Sequence, residues 1–316
     1  MPADVTMEWL EVCLVGLDGE GAEVAWEVLS RYAHGSPVIE EVRGADTPEQ
    51  AQPARLVAKA YLPDTPEGHQ ALQRLREALW HLSQLYPLPE PEVRRLATAD
   101  WSEAWKQHYA PIRVGQRLLV VPAWDETAEA GGRVVVRLDP GMAFGTGQHP
   151  STQLCLRLLE AVLRPGDRVL DVGCGSGILA IAAAKLGAGE VWAVDIDEVA
   201  VRATCENAAL NALPCRREGP VKGGIYVQHG SVDVAAGPFD LILMNILAEV
   251  IVSLMPETAP RLAPGGRLIL GGILAPREEV VCDALAAHRL RLLKREQAGD
   301  WISLLAVREN QIEPSE

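Results

Sequence analysis

The residues best placed to bind a small molecule lie between positions 171 and 195. Asp171 precedes three alternating glycines, Gly173, Gly175 and Gly177, and Asp195 follows further along the chain. Alternating glycines allow a sharp turn and let a ligand approach the backbone closely. A carboxylate at the end of the next strand can accept hydrogen bonds from both hydroxyls of a ribose. This combination indicates a nucleotide-type ligand.

The spacing of the glycines argues against a dinucleotide. The dinucleotide fingerprint has glycine at the first, third and sixth positions of its loop, and the sixth position counted from Gly173 is Ile178. Asp171 is a poor neighbour for a phosphate, but it suits a ligand that carries ammonium and sulfonium charges. These residues predict S-adenosylmethionine as the ligand. The alternative is a glycine-rich turn with a capping aspartate and no ligand.

Regular elements on both sides of the glycines position the two acidic residues. Val169–Val172 is a short apolar run typical of a buried parallel strand, Ile178–Leu186 is rich in helix formers, and Val191–Val194 is a second apolar run. Strand, glycine loop, helix, strand and acid form one nucleotide-binding βαβ unit. A later strand ends at Asn245, at the edge where open α/β sheets bind ligands.

The bulk properties of the chain limit its class and its partners. With 316 residues, 48% of them hydrophobic and 23% charged, the chain is expected to form two globular domains. A net charge of −14 argues against a nucleic-acid backbone as the main partner. The sequence has neither a signal-like start nor an apolar run long enough to span a membrane, which predicts a cytoplasmic protein. Six cysteines without a Cys-x-x-Cys pair predict reduced thiols and no metal site.

Three segments follow one another along the chain. Residues 1–99 have the pattern β-α-β-β-α-β of a small α+β, ferredoxin-like domain, which predicts a recognition module. Their net charge is −8, from 16 acidic and 8 basic residues, which predicts either a docking surface for a basic protein or a solvated acidic surface. Residues 100–115 are interpreted as a linker helix and 116–316 as the second domain. Runs at 117–122 and 133–138 predict a hairpin that leads into this domain, and 291–295 and 301–307 predict a reversed hairpin that closes its sheet.

The stretch 139–152 is a second candidate for ligand binding. Glycines and a proline interrupt it before a helix that is predicted to run from Thr152 to Leu163, with Ser151 or Thr152 as its hydroxyl cap. One interpretation is a loop that folds over the cofactor, and the other is a capped, glycine-rich connector. His149 is either a base or, as is more common for a lone histidine before proline, a structural residue.

Four segments together resemble the PrmA family of ribosomal-protein methyltransferases. They are Asp-Pro-Gly-x-Ala-Phe-Gly-Thr-Gly-x-His-Pro-Ser-Thr at 139–152, Asp-x-Gly-Cys-Gly-Ser-Gly-Ile-Leu-Ala-Ile at 171–181, Val-Asp-Ile-Asp at 194–197 and Asn-Ile-Leu-Ala at 245–248. The similarity covers about 96–308 well, whereas 1–99 is similar mainly in length and element order. The resemblance implies an α/β fold with a Rossmann-like, seven-stranded methyltransferase domain behind the small N-terminal domain.

The resemblance also implies an activity and a set of site residues. It implies transfer of up to three methyl groups from S-adenosylmethionine to lysine ε-amino groups and to the N-terminal α-amino group of ribosomal protein L11. The N-terminal domain would bind that substrate, without direct recognition of nucleic acid. The loop from Cys215 to Gly224 is longer than the family pattern, which leaves its contribution near the adenine open. The implied cofactor contacts are Thr152, Gly173, Gly175, Asp195, Asn245 and a covering loop of Phe144, Gly145, Thr146 and Gly147, and the methyl-transfer position is bordered by Asn245, Ile246 and Leu247.

Asn245 has two roles open to it from sequence. Its amide oxygen can accept a hydrogen bond from the substrate amine and orient the nitrogen lone pair, or the residue can cap the next helix. Two other functions also stay open. One is a methyltransferase for another amine, an RNA base or a small molecule, and the other is a module that binds the cofactor without turnover.

Overall fold

The computed structural model of the chain forms two compact units, Met1–Ala110 and Pro111–Glu316. Each unit has its own buried apolar core, so each is described by itself. The part of the chain that the structure describes comprises residues 8–17, 19–33, 37–42, 55–83, 87–96, 110–139 and 147–309.

The first unit contains a four-stranded antiparallel sheet of order β2-β3-β1-β4 and two helices. Alternate residues of β1, including Val12 and Leu14, are buried in the core that this sheet shares with both helices. Gly68 N donates to Thr65 Oγ1 at 3.1 Å, so Thr65 caps the second helix. The order strand–helix–strand–strand–helix–strand agrees with the prediction. The elements are β1 Trp9–Leu17, α1 Gly19–Tyr32, β2 Val38–Val42, β3 Arg55–Pro63, α2 Pro66–Ser83 and β4 Glu92–Leu96.

The first strands of the second unit differ from the prediction. Residues 100–109 of the predicted linker helix lie outside the described residues, and its end is wrong because β5 (Ile112–Val114) is a strand. The hairpin predicted from 117–122 and 133–138 is also wrong. These runs, β6 (Leu118–Pro122) and β7 (Val134–Leu138), pair in parallel, and β5 and β6 form the antiparallel pair. The turn between β5 and β6 is held by the Glu160 carboxylate, which accepts hydrogen bonds from the backbone N–H groups of Gln116 and Arg117.

The second unit is built on an eight-stranded sheet of order β10-β11-β9-β8-β12-β13-β15-β14, in which only β15 runs antiparallel to the rest. The α/β class is therefore as predicted. The predicted count of seven strands is one short because the two-residue strand β10 pairs with β11 at the edge. The predicted closing hairpin is formed by β14 and β15. The elements are α3 Pro150–Val162, β8 Arg168–Val172, α4 Ile178–Leu186, β9 Glu190–Asp195, α5 Glu198–Leu210, β10 Cys215–Arg216, β11 Ile225–His229, β12 Phe239–Asn245, α6 Ala248–Arg261, β13 Leu262–Leu274, α7 Glu278–Ala287, β14 Leu290–Ala298 and β15 Trp301–Arg308.

Two apolar cores cover the two faces of this sheet. Alternate residues of β8 point to opposite sides, so that Val169 packs with α3, α4 and α5, whereas Leu170 packs with α6 and α7. Because both faces are covered, the central strands are mostly apolar, and Asp171 in β8 is a buried exception. The three-layer arrangement leaves the strand ends as the place where polar residues can reach a ligand.

The cysteines depart from the expectation of reduced thiols. Cys205 of α5 and Cys215 of β10 form a disulfide with a Cα–Cα distance of 5.3 Å. The other four cysteines, at positions 13, 155, 174 and 282, are free. The disulfide joins a helix to the neighbouring edge strand. A separation of ten residues in the sequence does not predict that these two cysteines are in contact.

No helix among the described residues has the length and apolar character that a membrane span requires.

A buried ion pair joins the base of the sheet to α3. The Arg267 guanidinium in β13 donates to Asp167 Oδ2 at 2.8 Å and to the carbonyl oxygen of Val162 at the end of α3. Both charged side chains are buried. Burial of a charge without its partner is costly, so each member of this pair depends on the other.

We expect Asp167→Ala to lower the free energy of unfolding by about 3–5 kcal/mol, because Arg267 would keep a buried charge without its carboxylate. Urea unfolding of the full chain, followed by circular dichroism, measures this change. The control is Glu198→Ala, which removes an exposed ion pair with Arg217 and should cost far less. Equal losses in the two variants would contradict the prediction.

Candidate active site

The register of three neighbouring strands brings the predicted site residues to one edge of the sheet. Val172 at the end of β8 lies opposite both Val194 in β9 and Met244 in β12. The next residue of each strand path is therefore at the same level. These residues are Gly173, Asp195 and Asn245. The chain leaves β8 toward β9 on one side and later returns to β12 on the other, which makes this edge a topological switch point.

The glycine turn after β8 adopts a conformation that favours glycine at all three positions. Gly173, Gly175 and Gly177 have φ values of +72°, +53° and +78°. The turn is tied to β9 because the backbone N–H groups of Gly173 and Cys174 both donate to the carbonyl of Val194, at 2.8 and 3.2 Å. Backbone bonds and the left-handed conformations thus fix the turn, in which Gly173 and Gly175 are partly exposed.

Asp195 is joined directly to this turn. Its Oδ2 accepts a hydrogen bond from Gly175 N at 2.9 Å, and its Oδ1 accepts one from Asp197 N at 2.9 Å. Each carboxylate oxygen can accept more than one hydrogen bond, so the partly exposed group keeps acceptor capacity for a ligand hydroxyl. The side chain of the next residue, Ile196, is 77% exposed beside it. Sequence reasoning based on charge does not select Ile196, although it offers an apolar surface to a flat ring.

Asn245 presents an unpartnered acceptor at the end of β12. Its Nδ2 donates to Thr152 Oγ1 at 3.2 Å, and Thr152 is fully buried in the first turn of α3. Its Oδ1 is buried and has no hydrogen-bond partner among the described residues. A Cβ atom at Gly271 would lie 2.8 Å from that oxygen and 2.3 Å from Cys155 Sγ, so only a glycine fits beside the oxygen at this point. A buried acceptor without a partner is costly unless a bound group supplies a donor.

The two residues after Asn245 have different surroundings. Ile246 packs closely against the glycine turn, since a Cβ at Gly173 would lie 2.5 Å from Ile246 Cγ2. Leu247 precedes the first residue of α6 as its N-cap and is half exposed, with no capping hydrogen bond from its side chain. The proposed capping role of Asn245 is therefore wrong, because the helix begins two residues later than that role requires.

The start of α3 also corrects an expectation. The N-cap of α3 is His149, whose ring Nδ1 accepts a hydrogen bond from Ser151 N at 3.3 Å, and Ser151 and Thr152 lie inside the helix. The imidazole packs edge-to-face on Trp301 with ring centroids 4.4 Å apart. Its burial lowers the pKa of His149 to about 4. His149 is thus a neutral, structural residue at neutral pH, as the second of its two interpretations predicts.

Only the end of the proposed covering loop falls within the described residues. Phe144, Gly145 and Thr146 lie outside them. Gly147 has a φ of +84°, and a Cβ atom there would lie 3.0 Å from side-chain carbons of both Ile178 and Val120. The chain at Gly147 therefore runs close to the first residue of α4, next to the glycine turn.

Asp171 lies beneath the glycine turn in a fully buried position. Its Oδ2 accepts a hydrogen bond from Ala180 N at 3.0 Å. Burial raises the pKa of the Asp171 carboxyl to about 7, and the nearby charge of Asp195 acts in the same direction. A cationic ligand above the turn would favour the ionised form of this carboxyl.

The chemistry of these groups suits the predicted ligand. The site contains the partly exposed carboxylate of Asp195, the buried carboxyl of Asp171, the buried amide oxygen of Asn245 and the partly buried turn backbone, and these groups are mostly acceptors. Such a set fits a nucleoside with hydroxyl, ammonium and sulfonium groups better than it fits a pyrophosphate. Among the residues with described positions, no group of three or more His, Cys, Asp or Glu side chains could hold a metal ion.

Comparison of the chain with known families, sequences and solved structures finds proteins that share one description. The profile of a family described as ribosomal protein L11 methyltransferase (PrmA) matches residues 8–309. A ribosomal protein L11 methyltransferase of Chloroflexus aurantiacus is 43% identical, over 95% of this chain and 98% of the relative. The one from Pelotomaculum thermopropionicum is 42% identical, over 95% and 99%. A crystal structure of a ribosomal protein L11 methylase from Lactobacillus delbrueckii subsp. bulgaricus is 37% identical with a TM-score of 0.59, and the match covers 64% of this chain and 100% of that one.

The buried carboxyl of Asp171 predicts a pH-dependent stability. The unfolded group has a pKa of about 3.9, and the folded group has one of about 7. A raised pKa in the folded state contributes stability below the unfolded pKa, and this contribution is lost as the pH rises through 7. Asp171→Asn keeps an acceptor for Ala180 N but has no charge. We expect its free energy of unfolding, relative to the parent, to increase from pH 5 to pH 7 by about 2 kcal/mol and to rise by less than about 0.5 kcal/mol more by pH 8.

Urea unfolding at pH 5, 6, 7 and 8 without added ligand measures this difference. The control is Asp125→Asn, since hydrogen bonds from Thr127 lower the pKa of the Asp125 carboxyl. That group is ionised in both states over this range, so its difference from the parent should not vary with pH. A flat profile for Asp171→Asn would show that its carboxyl titrates normally.

Proposed function

The chain belongs to the ribosomal protein L11 methyltransferase (PrmA) family, and from that premise we propose that it methylates ribosomal protein L11 with S-adenosylmethionine as the methyl donor. The acceptors in this proposal are lysine ε-amino groups and the N-terminal α-amino group, each taking up to three methyl groups. The observation that carries the proposal is the buried, unpartnered Oδ1 of Asn245 beside the acidic glycine turn.

The donor would be held by the edge of the sheet. Asp195 would accept the ribose hydroxyls, and the backbone of Gly173 and Gly175 would lie against the ligand. Asp171 supplies negative charge for its ammonium and sulfonium groups, and Thr152 fixes the amide plane of Asn245. When bound, S-adenosylmethionine supplies a methyl group on a positively charged sulfur, which an amine can displace. The proposed covering loop, Phe144–Gly147, would close over it.

The chain's own residues would prepare the amine. A free lysine has a pKa of about 10.4 and an α-amino group one of about 7.7–8, so the acceptor must lose a proton before it reacts. Removal from water and a nearby positive charge both lower the pKa of an amine. The Asn245 oxygen accepts an N–H and so aims the lone pair, and as a neutral group it does not favour the ammonium form as a carboxylate would. Alignment of this kind can lower a barrier by about 7–11 kcal/mol.

The first unit would recognise the substrate. We propose that residues 1–99 are a ferredoxin-like recognition module that binds ribosomal protein L11, followed by a linker and the methyltransferase domain at 116–316. The antiparallel order β2-β3-β1-β4 with two helices supports this interpretation, and the net charge of −8 in 1–99 suits a basic partner. The proposal places the protein in the cytoplasm, where ribosomal proteins are made, and assigns it no direct recognition of nucleic acid.

The direct test is incubation of the full chain with isotope-labelled S-adenosylmethionine and unmodified ribosomal protein L11, followed by mass mapping of the product. We expect label on lysine side chains and on the N-terminal amine. Deletion of 1–99 should abolish this transfer and leave cofactor binding by the remaining domain intact. Donor binding without any transfer would favour the module that binds without turnover, and label on another amine alone would replace the substrate.

Two substitutions separate the roles of the site residues. Asn245→Ala removes the acceptor for the amine and should reduce kcat at saturating donor by at least about tenfold, with little change in the Kd of the donor. Asp195→Ala removes hydrogen bonds to a charged acceptor and should raise that Kd about 10- to 100-fold. Calorimetry gives the Kd and initial rates give kcat. If both variants change the same quantity, the assigned roles are wrong.

A further inference from the structure

Helix α5 and its C-cap residue carry three buried polar side chains, two in the helix and one at the cap. Thr204, Asn207 and Asn211 are all buried, although positions facing a core are usually apolar. Buried polar groups are retained when they are fully hydrogen-bonded. The partners of these three side chains therefore indicate what the helix holds in place.

Thr204 and Asn207 hold the carbonyl groups of the glycine turn. Thr204 Oγ1 donates to the carbonyl oxygen of Gly175 at 3.1 Å, and Asn207 Nδ2 donates to that of Ser176 at 2.9 Å. Asp195 instead accepts from Gly175 N. The N–H and C=O groups of the turn are thus held separately, by a strand end and by a helix. Three glycines with positive φ provide no side chains of their own for this purpose.

Asn207 also holds a second segment with the same amide. Its Oδ1 accepts a hydrogen bond from Asp139 N at 2.8 Å, directly after β7. Asp139 begins the stretch 139–152 of the family pattern. One planar amide can bridge two backbone groups in this way because it donates from one atom and accepts at another, whereas an ionised carboxylate has no donor and a hydroxyl does both from a single oxygen.

Asn211 makes similar bonds to the same strand but does not bond to the turn. Its Oδ1 accepts from Arg137 N at 2.8 Å, and its Nδ2 donates to the carbonyl oxygens of Arg137 and Asn207, both at 2.7 Å. Lys185 Nζ donates to the same Oδ1 at 3.2 Å. Asn211 therefore has the residue type, burial and strand contact of Asn207 without its bond to the ligand side.

We propose that Asn207 is a positioning residue for the methyl donor: by bonding Ser176 O and Asp139 N at once, it holds the glycine turn in the conformation that receives the ligand. It acts through the turn and not by contact with the reacting atoms. A turn that is already ordered loses less conformational freedom on binding, so the affinity of the site depends on this bond. The inference rests on the proposed function, because it takes S-adenosylmethionine as the ligand of the turn.

The test compares Asn207→Asp with Asn211→Asp in the full chain. At neutral pH an aspartate at 207 still accepts from Asp139 N but no longer donates to Ser176 O, where it places two acceptors together. We expect the Kd for S-adenosylmethionine, measured by calorimetry, to rise about tenfold in Asn207→Asp. The KM for the donor should rise similarly, with kcat at saturating donor within about twofold of the parent.

Asn211→Asp removes the matching donor at the C-cap of α5, so it controls for damage to the contact between α5 and β7. Its Kd should stay within about twofold of the parent, even if thermal unfolding shows equal destabilisation of the two variants. If Asn207→Asp does not fold, Asn207→Ser gives the same comparison because the shorter side chain cannot bridge both groups.

Parent-like affinity in the variant at 207, or equal weakening at 207 and 211, would overturn the positioning role. A parent chain that binds no S-adenosylmethionine would instead contradict the proposed function, and this inference would fall with it.

Discussion

The site depends on one register: Val172 in β8 lies opposite both Val194 in β9 and Met244 in β12. In a parallel sheet, neighbouring strands that end at the same level present their next residues along one edge. That constraint alone brings together a glycine, a carboxylate and an amide that are far apart in the chain. A shift of one residue in either pairing would turn Asp195 or Asn245 toward the other face of the sheet.

Neighbouring elements hold the glycine turn in place, because the turn has few side chains of its own. Glycines give the backbone its left-handed conformations, but they contribute no side-chain contacts. Asp195 fixes the turn through an N–H group, α5 fixes it through two carbonyls, and Ile246 packs against Gly173. The buried, unpartnered amide oxygen of Asn245 lowers the stability of the free protein, and a ligand N–H group that donates a hydrogen bond to this oxygen would remove that cost. The same oxygen therefore destabilises the free protein and favours the bound state.

The predictions that failed concern contacts between segments. The runs that form β6 and β7 are apolar in the same way whether they pair in parallel or as a hairpin, so periodicity does not distinguish the two. A two-residue strand such as β10 is too short to show a pattern. The disulfide joins Cys205 to Cys215 because α5 and the sheet edge meet in space. His149 displaces the predicted hydroxyl cap because its ring reaches Ser151 N while it packs on Trp301, which is distant in sequence.

The sequence by itself determined the α/β class, the βαβ unit with its glycine turn, the acidic residues of the candidate ligand site and the family. These follow from local apolar runs, glycine spacing and short motifs, whose meaning does not depend on distant residues. Only the tertiary structure decided that Asn245 orients on Thr152 and keeps a free oxygen, that Asp171 is buried enough for a pKa of about 7, and that Asn207 bridges the turn to β7. Burial and hydrogen-bond partners are properties of packed neighbours, and the chain order does not specify which neighbours a side chain will meet.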